Sequence, residues 1–186
     1  MKRAFPTTVI ALTVLSACGG GGSGLPVSGG PGGTGKFQEY SQLLTDFYLA
    51  SSGGYTSPSS LPSSASYSGV AAIGQGTLNP DAYFGDISMQ VAFSGGSVSG
   101  TIDNFTKIPF GQVTETPVAG SFSMSGSSTG NNSLLSPAIT GFASGSLEGV
   151  SDLMSFEGSF AGPNGRNGQL QFIGSSWIGF GYVEAN

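Results

Sequence analysis

The sequence predicts a mainly β protein: an eight-stranded antiparallel β-barrel preceded by one short α-helix and a disordered N-terminal leash. Three observations predict it. From Tyr67 onward, apolar and polar residues alternate with period two between clusters of Gly, Asn, Asp and Ser, the pattern of half-buried strands joined by turns. One earlier stretch, Phe37 to Tyr48, carries apolar residues at intervals of three and four, the period of one helical face. Between the sole cysteine, Cys18, and that stretch the chain is almost all Gly, Ser and Pro, a composition that cannot bury enough apolar surface to fold.

The first seventeen residues read as a secretory signal peptide. Lys2 and Arg3 form a positive n-region and Val9 to Leu15 an apolar h-region, too short to span a bilayer. It ends in Leu15-Ser16-Ala17-Cys18, which resembles the lipobox of bacterial lipoproteins, where cleavage leaves the cysteine as first residue and its thiol receives a diacylglycerol. The competing reading is an ordinary signal peptide followed by a free thiol. The glycines directly after the lone cysteine favour the lipoprotein, with residues 18–35 as lipidated Cys18 and its lipoprotein leash. Acylation of Cys18 would leave no thiol for a disulfide, so stability must come from burial and hydrogen bonding.

Removal of residues 1–17 leaves Lys36, Lys107 and Arg166 as the only cations against ten acidic residues. Nucleic acid is therefore not an expected partner, since phosphate neutralisation needs clustered Lys and Arg. Adhesion to anionic lipid by charge is disfavoured for the same reason, which leaves a covalent lipid anchor in the outer membrane as the expected attachment.

The helix, together with a Ser-, Gly- and Pro-rich linker over 50–66, fills the segment 36–65, and its apolar stripe is expected to pack on the domain that follows. Within the barrel, residues 66–186, the clearest strand pair is Ile87, Met89, Val91, Phe93, then Gly95-Gly96, then Val98, Gly100, Ile102, a hairpin about a tight glycine turn. Further strands are expected near 67–76, 118–124, 139–147, 153–161, 168–174 and 176–183. Closure into a barrel removes the unpaired edges that so long a sheet would expose. Glycines alternate with large residues on single strand faces, as in Phe156, Gly158, Phe160 and Gly168, Leu170, Phe172, which suits a side-chain-filled interior. A membrane-spanning barrel is the rival, disfavoured by polar outward positions and by the absence of aromatic girdles.

The segment Phe156 to Phe172, with Phe160-Ala161-Gly162-Pro163-Asn164-Gly165 followed by Gly168-Gln169-Leu170-Gln171-Phe172, resembles the transferrin-binding protein B family of surface lipoproteins. There, a strand ends in a Phe-x-Gly-Pro hairpin followed by a Gly-x-Phe strand. Val91 to Phe105, ending in Gly100-Thr101-Ile102-Asp103-Asn104-Phe105, is similar to a second segment of those barrels. The resemblance covers residues 66–186 in order. It implies an eight-stranded barrel at the cell surface, carried across the outer membrane by a surface lipoprotein translocator, that captures iron proteins, haem carriers or other ligands. Large family members have two lobes, each with a handle domain and a barrel, whereas this chain has one barrel and one helix, so transferrin binding does not carry over.

Catalytic motifs are suggested and then fail. Gly30 to Lys36 imitates a phosphate-binding loop, but Phe37 stands where a hydroxyl must meet magnesium. Ser128 within Gly126 to Gly130 has nucleophile-elbow spacing, but there is no histidine to act as its base. The same lack removes most zinc sites and ordinary haem ligation, and no cofactor or metal is expected. Two carboxylate pairs remain imaginable as acid and base or as calcium ligands: Glu148 with Asp152, and Asp81 with Asp86. Asn104-Phe105-Thr106 fits a glycosylation sequon that a bacterial lipoprotein would not use.

The expected role is a noncatalytic, lipid-anchored surface protein that binds a protein or small-molecule ligand. A periplasm-facing structural envelope lipoprotein is the alternative. Two connections too long for ordinary barrel turns, 105–117 and 125–138, are the expected partner-binding loops. The first carries Phe105, Ile108 and Phe110, and the second Leu134 and Leu135; such residues serve either as exposed anchors or as a lid over the barrel.

Overall fold

A computed structural model describes residues 35–75, 81–94, 96–133 and 136–186. The signal segment, Cys18, most of the glycine-rich leash, and Leu134 and Leu135 lie outside the described residues. The helix α1 (Lys36–Ser51) precedes nine strands: β1 (Ser64–Gln75), β2 (Ala82–Ala92), β3 (Ser97–Ile108), a two-residue β4 (Thr116–Pro117), β5 (Gly120–Ser128), β6 (Ile139–Leu147), β7 (Val150–Ala161), β8 (Asn167–Ile173) and β9 (Trp177–Ala185).

Every long strand pairs antiparallel with its neighbours in sequence, and β9 returns to β1 from Tyr67↔Ala185 through Gln75↔Trp177. The eight long strands thus close into an up-and-down barrel, with β4 added beyond it on β3. The two ends differ. At the entry end, where the chain enters α1, lie Asp81 and the connections 109–119, 148–149 and 174–176. At the far end lie residues 93, 94 and 96, the described part of the β5–β6 connection, 162–166 and Asn186.

Inward residues form one continuous buried core through the barrel. Phe105, Phe122, Phe156, Phe160, Phe172 and Trp177 are all buried, with edge or tilted ring contacts such as Phe105–Phe122 at 6.1 Å and Phe93–Phe160 at 5.1 Å. The glycine alternation has a packing cause. A Cβ on Gly85 would stand 2.5 Å from the Phe105 ring, and one on Gly141 would stand 2.6 Å from the Phe156 ring. A ring therefore needs a glycine beside it for room inside a narrow barrel.

Outward positions of β3 and β5 are hydroxyls and one acid: Ser97, Ser99, Thr101, Asp103 and, in register opposite, Ser127, Ser125, Ser123. The outward face of β9, β1 and β2 is different, because α1 lies across it. Phe47 is buried against Tyr182, and Tyr40 makes edge contacts with Phe84 at 5.7 Å and Tyr182 at 5.3 Å. The apolar stripe of the helix thus packs on the barrel, as its period predicted.

Candidate functional site

Two loop sites and one surface concavity are candidates, and the structure separates them. The connection expected over 105–117 begins later, because β3 continues to Ile108. Phe105 is an inward barrel residue, 1% exposed, rather than a loop anchor. The cause is a bulge: Phe84 pairs with Thr106 and Asp86 with Asp103, so Asn104 and Phe105 together oppose Gly85. Asn104 takes φ +50° and its amide donates to Asp86 at 2.6 Å. Ile108 closes β3 half-buried, and only Phe110 stands exposed, at 64%. Likewise Ser125 to Ser128 belong to β5, so the second connection is 129–138. The two connections follow consecutive long strands of a meander, so Phe110 and the described residues of the second connection lie at opposite ends; Leu134 and Leu135 are outside the described residues.

The entry end carries a polar cluster. Lys107 bonds Asp81 at 2.9 Å and Glu148 at 3.3 Å and lies 5.3 Å from the centre of the Tyr83 ring, whose hydroxyl donates to Glu148 at 2.5 Å. The Phe110 N–H donates to Asp81 at 3.0 Å, which ties the loop down. Asp81 and Tyr83 push Lys107 up from its ordinary value, the Lys107 hydrogen bond holds Asp81 down, and burial followed by Glu148 pushes Tyr83 up. These three shifts move protons away from neutral pH, the opposite of what a general acid or base needs.

Neither imagined carboxylate pair is assembled. Asp86 pairs with Lys36, while Asp152 accepts from the N–H groups of Ser176 at 2.8 Å and Trp177 at 3.0 Å and from the Ser175 hydroxyl at 2.9 Å, fixing the β8–β9 turn. Instead Asp81 and Glu148 meet on Lys107, a grouping that sequence spacing did not suggest. Glu115 accepts the N–H groups of Lys36 at 3.2 Å and Phe37 at 2.9 Å, capping α1 from the β3–β5 connection. Among the described residues no group of three or more acidic or thiol side chains is placed to hold a metal ion.

At the far end, Asn132 is buried and donates to the carbonyls of Thr56 and Phe160, each at 2.7 Å, while accepting from the Phe160 N–H at 2.8 Å. This amide ties the β5–β6 connection to the backbone of Thr56 and Phe160; no sequence signal marked it. The Phe160 to Gly165 motif forms the adjacent β7–β8 turn, with Gly162 at φ +79° and Gly165 at φ +70°, and Tyr67 donates its hydroxyl to the Gly165 carbonyl at 2.9 Å. Beside it on the outer wall lies an open concavity of about 490 Å³, lined by Ser66, Gln90, Ser99 and Asn186 among others, without a charged side chain. Comparison with protein-family models finds no match, and comparison with curated protein sequences finds none either.

Proposed function

We propose that the chain is an exported lipoprotein, anchored through Cys18 in the outer membrane and displayed at the cell surface, whose barrel is a noncatalytic scaffold for binding a protein or small-molecule ligand. The observation that carries the reading is a barrel filled from end to end with side chains, from Tyr83 and Trp177 to Phe93 and Phe160. A ligand then meets the outer surface, and the far end, with a concavity that holds no charged side chain and the β5–β6 connection, is the part most distant from the tether. Loops held by a rigid scaffold are the usual carriers of binding. The resemblance to the transferrin-binding protein B family supports the surface assignment, through the Phe160 to Phe172 segment, and a translocator as a partner in export.

The test joins three measurements. A fatty-acid analogue should label the wild type and not Cys18→Ala, and the variant should leave the membrane fraction. Protease added to intact cells should remove the protein, whereas survival until the outer membrane is opened favours a periplasm-facing envelope lipoprotein. Capture of the same partner from host fluid by wild type, lost when the far-end concavity is altered as Gln90→Ala with Asn186→Ala, would identify the ligand. Equal labelling of both proteins would reject the anchor.

A further inference from the structure

Among the described residues, large exposed apolar side chains are distributed unevenly along the barrel. Phe110 and Val113 lie in the β3–β5 connection, Val150 and Leu153 in the opening of β7, Ile173 at the end of β8 and Phe180 in the first half of β9. All of these are toward the entry end. The far end has Tyr48 and Leu49, at the close of α1, and Phe142 lies midway. Scattered apolar residues are ordinary on a protein surface, but a collar gathered at one end marks an interaction surface.

Apart from the exposed Glu39 in the first turn of α1, the charges named at this end are matched locally. Lys107 holds Asp81 and Glu148, Lys36 holds Asp86, and Asp152 is surrounded by backbone and hydroxyl donors. The chain enters at the same end, since Gly35 and the first turn of α1 rest on Glu115. A covalent span from Cys18 to Gly35 reaches at most roughly 60 Å when fully extended, so an anchor at Cys18 holds the entry end within that distance of the bilayer.

We infer that this collar docks on the bilayer that holds the Cys18 lipid, with the entry end on the lipid interface and the far end pointing away. The inference rests on the lipoprotein reading above. The lipid class it fits is zwitterionic phospholipid, because an acidic chain is repelled by an anionic surface while paired charges and apolar side chains tolerate a neutral one. Docking would present the far-end concavity outward and leave Phe110 unavailable to a soluble partner.

The test uses the full chain, exported and acylated, carrying Val113→Cys, Ile173→Cys or Leu49→Cys. These positions are 85%, 54% and 68% exposed, so a label displaces no core. Each new thiol is labelled with a polarity-sensitive fluorophore, and the protein is placed in phosphatidylcholine vesicles containing a lipid with a quencher just below the headgroup. Quenching several-fold stronger at 113 and 173 than at 49, with a blue shift, is expected. Equal quenching at the three positions, or stronger quenching at 49, overturns the inference. Intact mass separates the two failures: a fatty acid on Cys18 with equal quenching overturns the orientation alone, and a bare Cys18 thiol overturns the tether and the inference together.

Discussion

Phe105 and Phe110 stand five residues apart and answer to different physics. Phe105 fills the space that Gly85 leaves inside the barrel, whereas Phe110 projects from a connection into solvent. Phe105→Ala should therefore cost about 3–5 kcal/mol of unfolding free energy, the usual range for a buried phenylalanine. Phe110→Ser should stay within about 0.5 kcal/mol. Urea denaturation of both variants checks this, and similar losses in the two would contradict the placement of β3. Asp152 offers a pH-dependent counterpart. Burial raises its carboxyl pKa, but the donors at Ser176, Ser175, Trp177 and Leu153 outweigh that and hold it down at about 2. A depressed carboxylate stabilises the fold above its unfolded value and loses that contribution as pH falls toward the folded one. Asp152→Asn should then lower the melting temperature at pH 7, and the gap from wild type should narrow between about pH 4 and pH 2. A gap constant over that window would mean that the amide replaces the carboxylate without loss of charge-assisted bonding.

Connections are the elements on which the architecture turns. Asn132 holds the β5–β6 connection to the backbone of β7 and of the segment after α1, and Asn132→Ala would leave the buried Phe160 N–H without its acceptor. A loss of about 2–3 kcal/mol is expected, read as a lower melting temperature, and a change under about 0.5 kcal/mol would mean that the amide does not hold the connection. Such stitching is invisible in a sequence, because an asparagine among Ser and Gly reads as a turn residue whatever its partners. Strands with large inward residues were legible: Gly168, Leu170, Phe172 marked β8, and Ile87, Met89, Val91 marked β2. The alternation failed where parity or size failed. In β3 the bulge moves the inward set from Ile102 to Phe105, an odd step that resembles the end of a strand. In β5 the last inward positions are Gly126, where a side chain would strike the Thr140 carbonyl, and Ser128, with serines on either side. No apolar signal survives there. The separation of the two long connections was legible in principle, since an up-and-down barrel sends consecutive connections to opposite ends. The ion cluster on Lys107 was not, because Asp81 and Glu148 are brought together only by closure of the barrel.

At the scale of the whole molecule, the distribution of polarity around the wall separates a water-facing barrel from one that crosses a membrane. A spanning barrel needs an apolar band about 25 Å tall around its whole circumference. Here β3 and β5 present Ser97, Ser99, Thr101, Asp103, Ser123, Ser125 and Ser127 outward, and the apolar positions of β7 to β9 gather toward one end. Hydroxyl rows of this kind are well solvated by water and find no partner in hydrocarbon. The opposite wall is completed by α1, whose Tyr40 and Phe47 cover Tyr182 and Phe84. Residues 36–186 therefore contain both the barrel and the element that covers its apolar outer face, and they should fold without the leash or the lipid. The expectation is a detergent-free monomer by gel filtration, a circular dichroism spectrum dominated by β structure with a small helical contribution, and a single cooperative thermal transition. Truncation further, to residues 64–186, exposes Tyr182 and Phe84 and should cause association or loss of cooperativity, because burial of each such ring contributes roughly 1.5–3 kcal/mol. If instead the longer piece stays in solution only with detergent, the serine-lined wall is not facing water and the membrane-spanning alternative takes its place. If the shorter piece is as soluble and as stable as the longer one, α1 is dispensable and its contacts with Tyr182 and Phe84 contribute little to the fold.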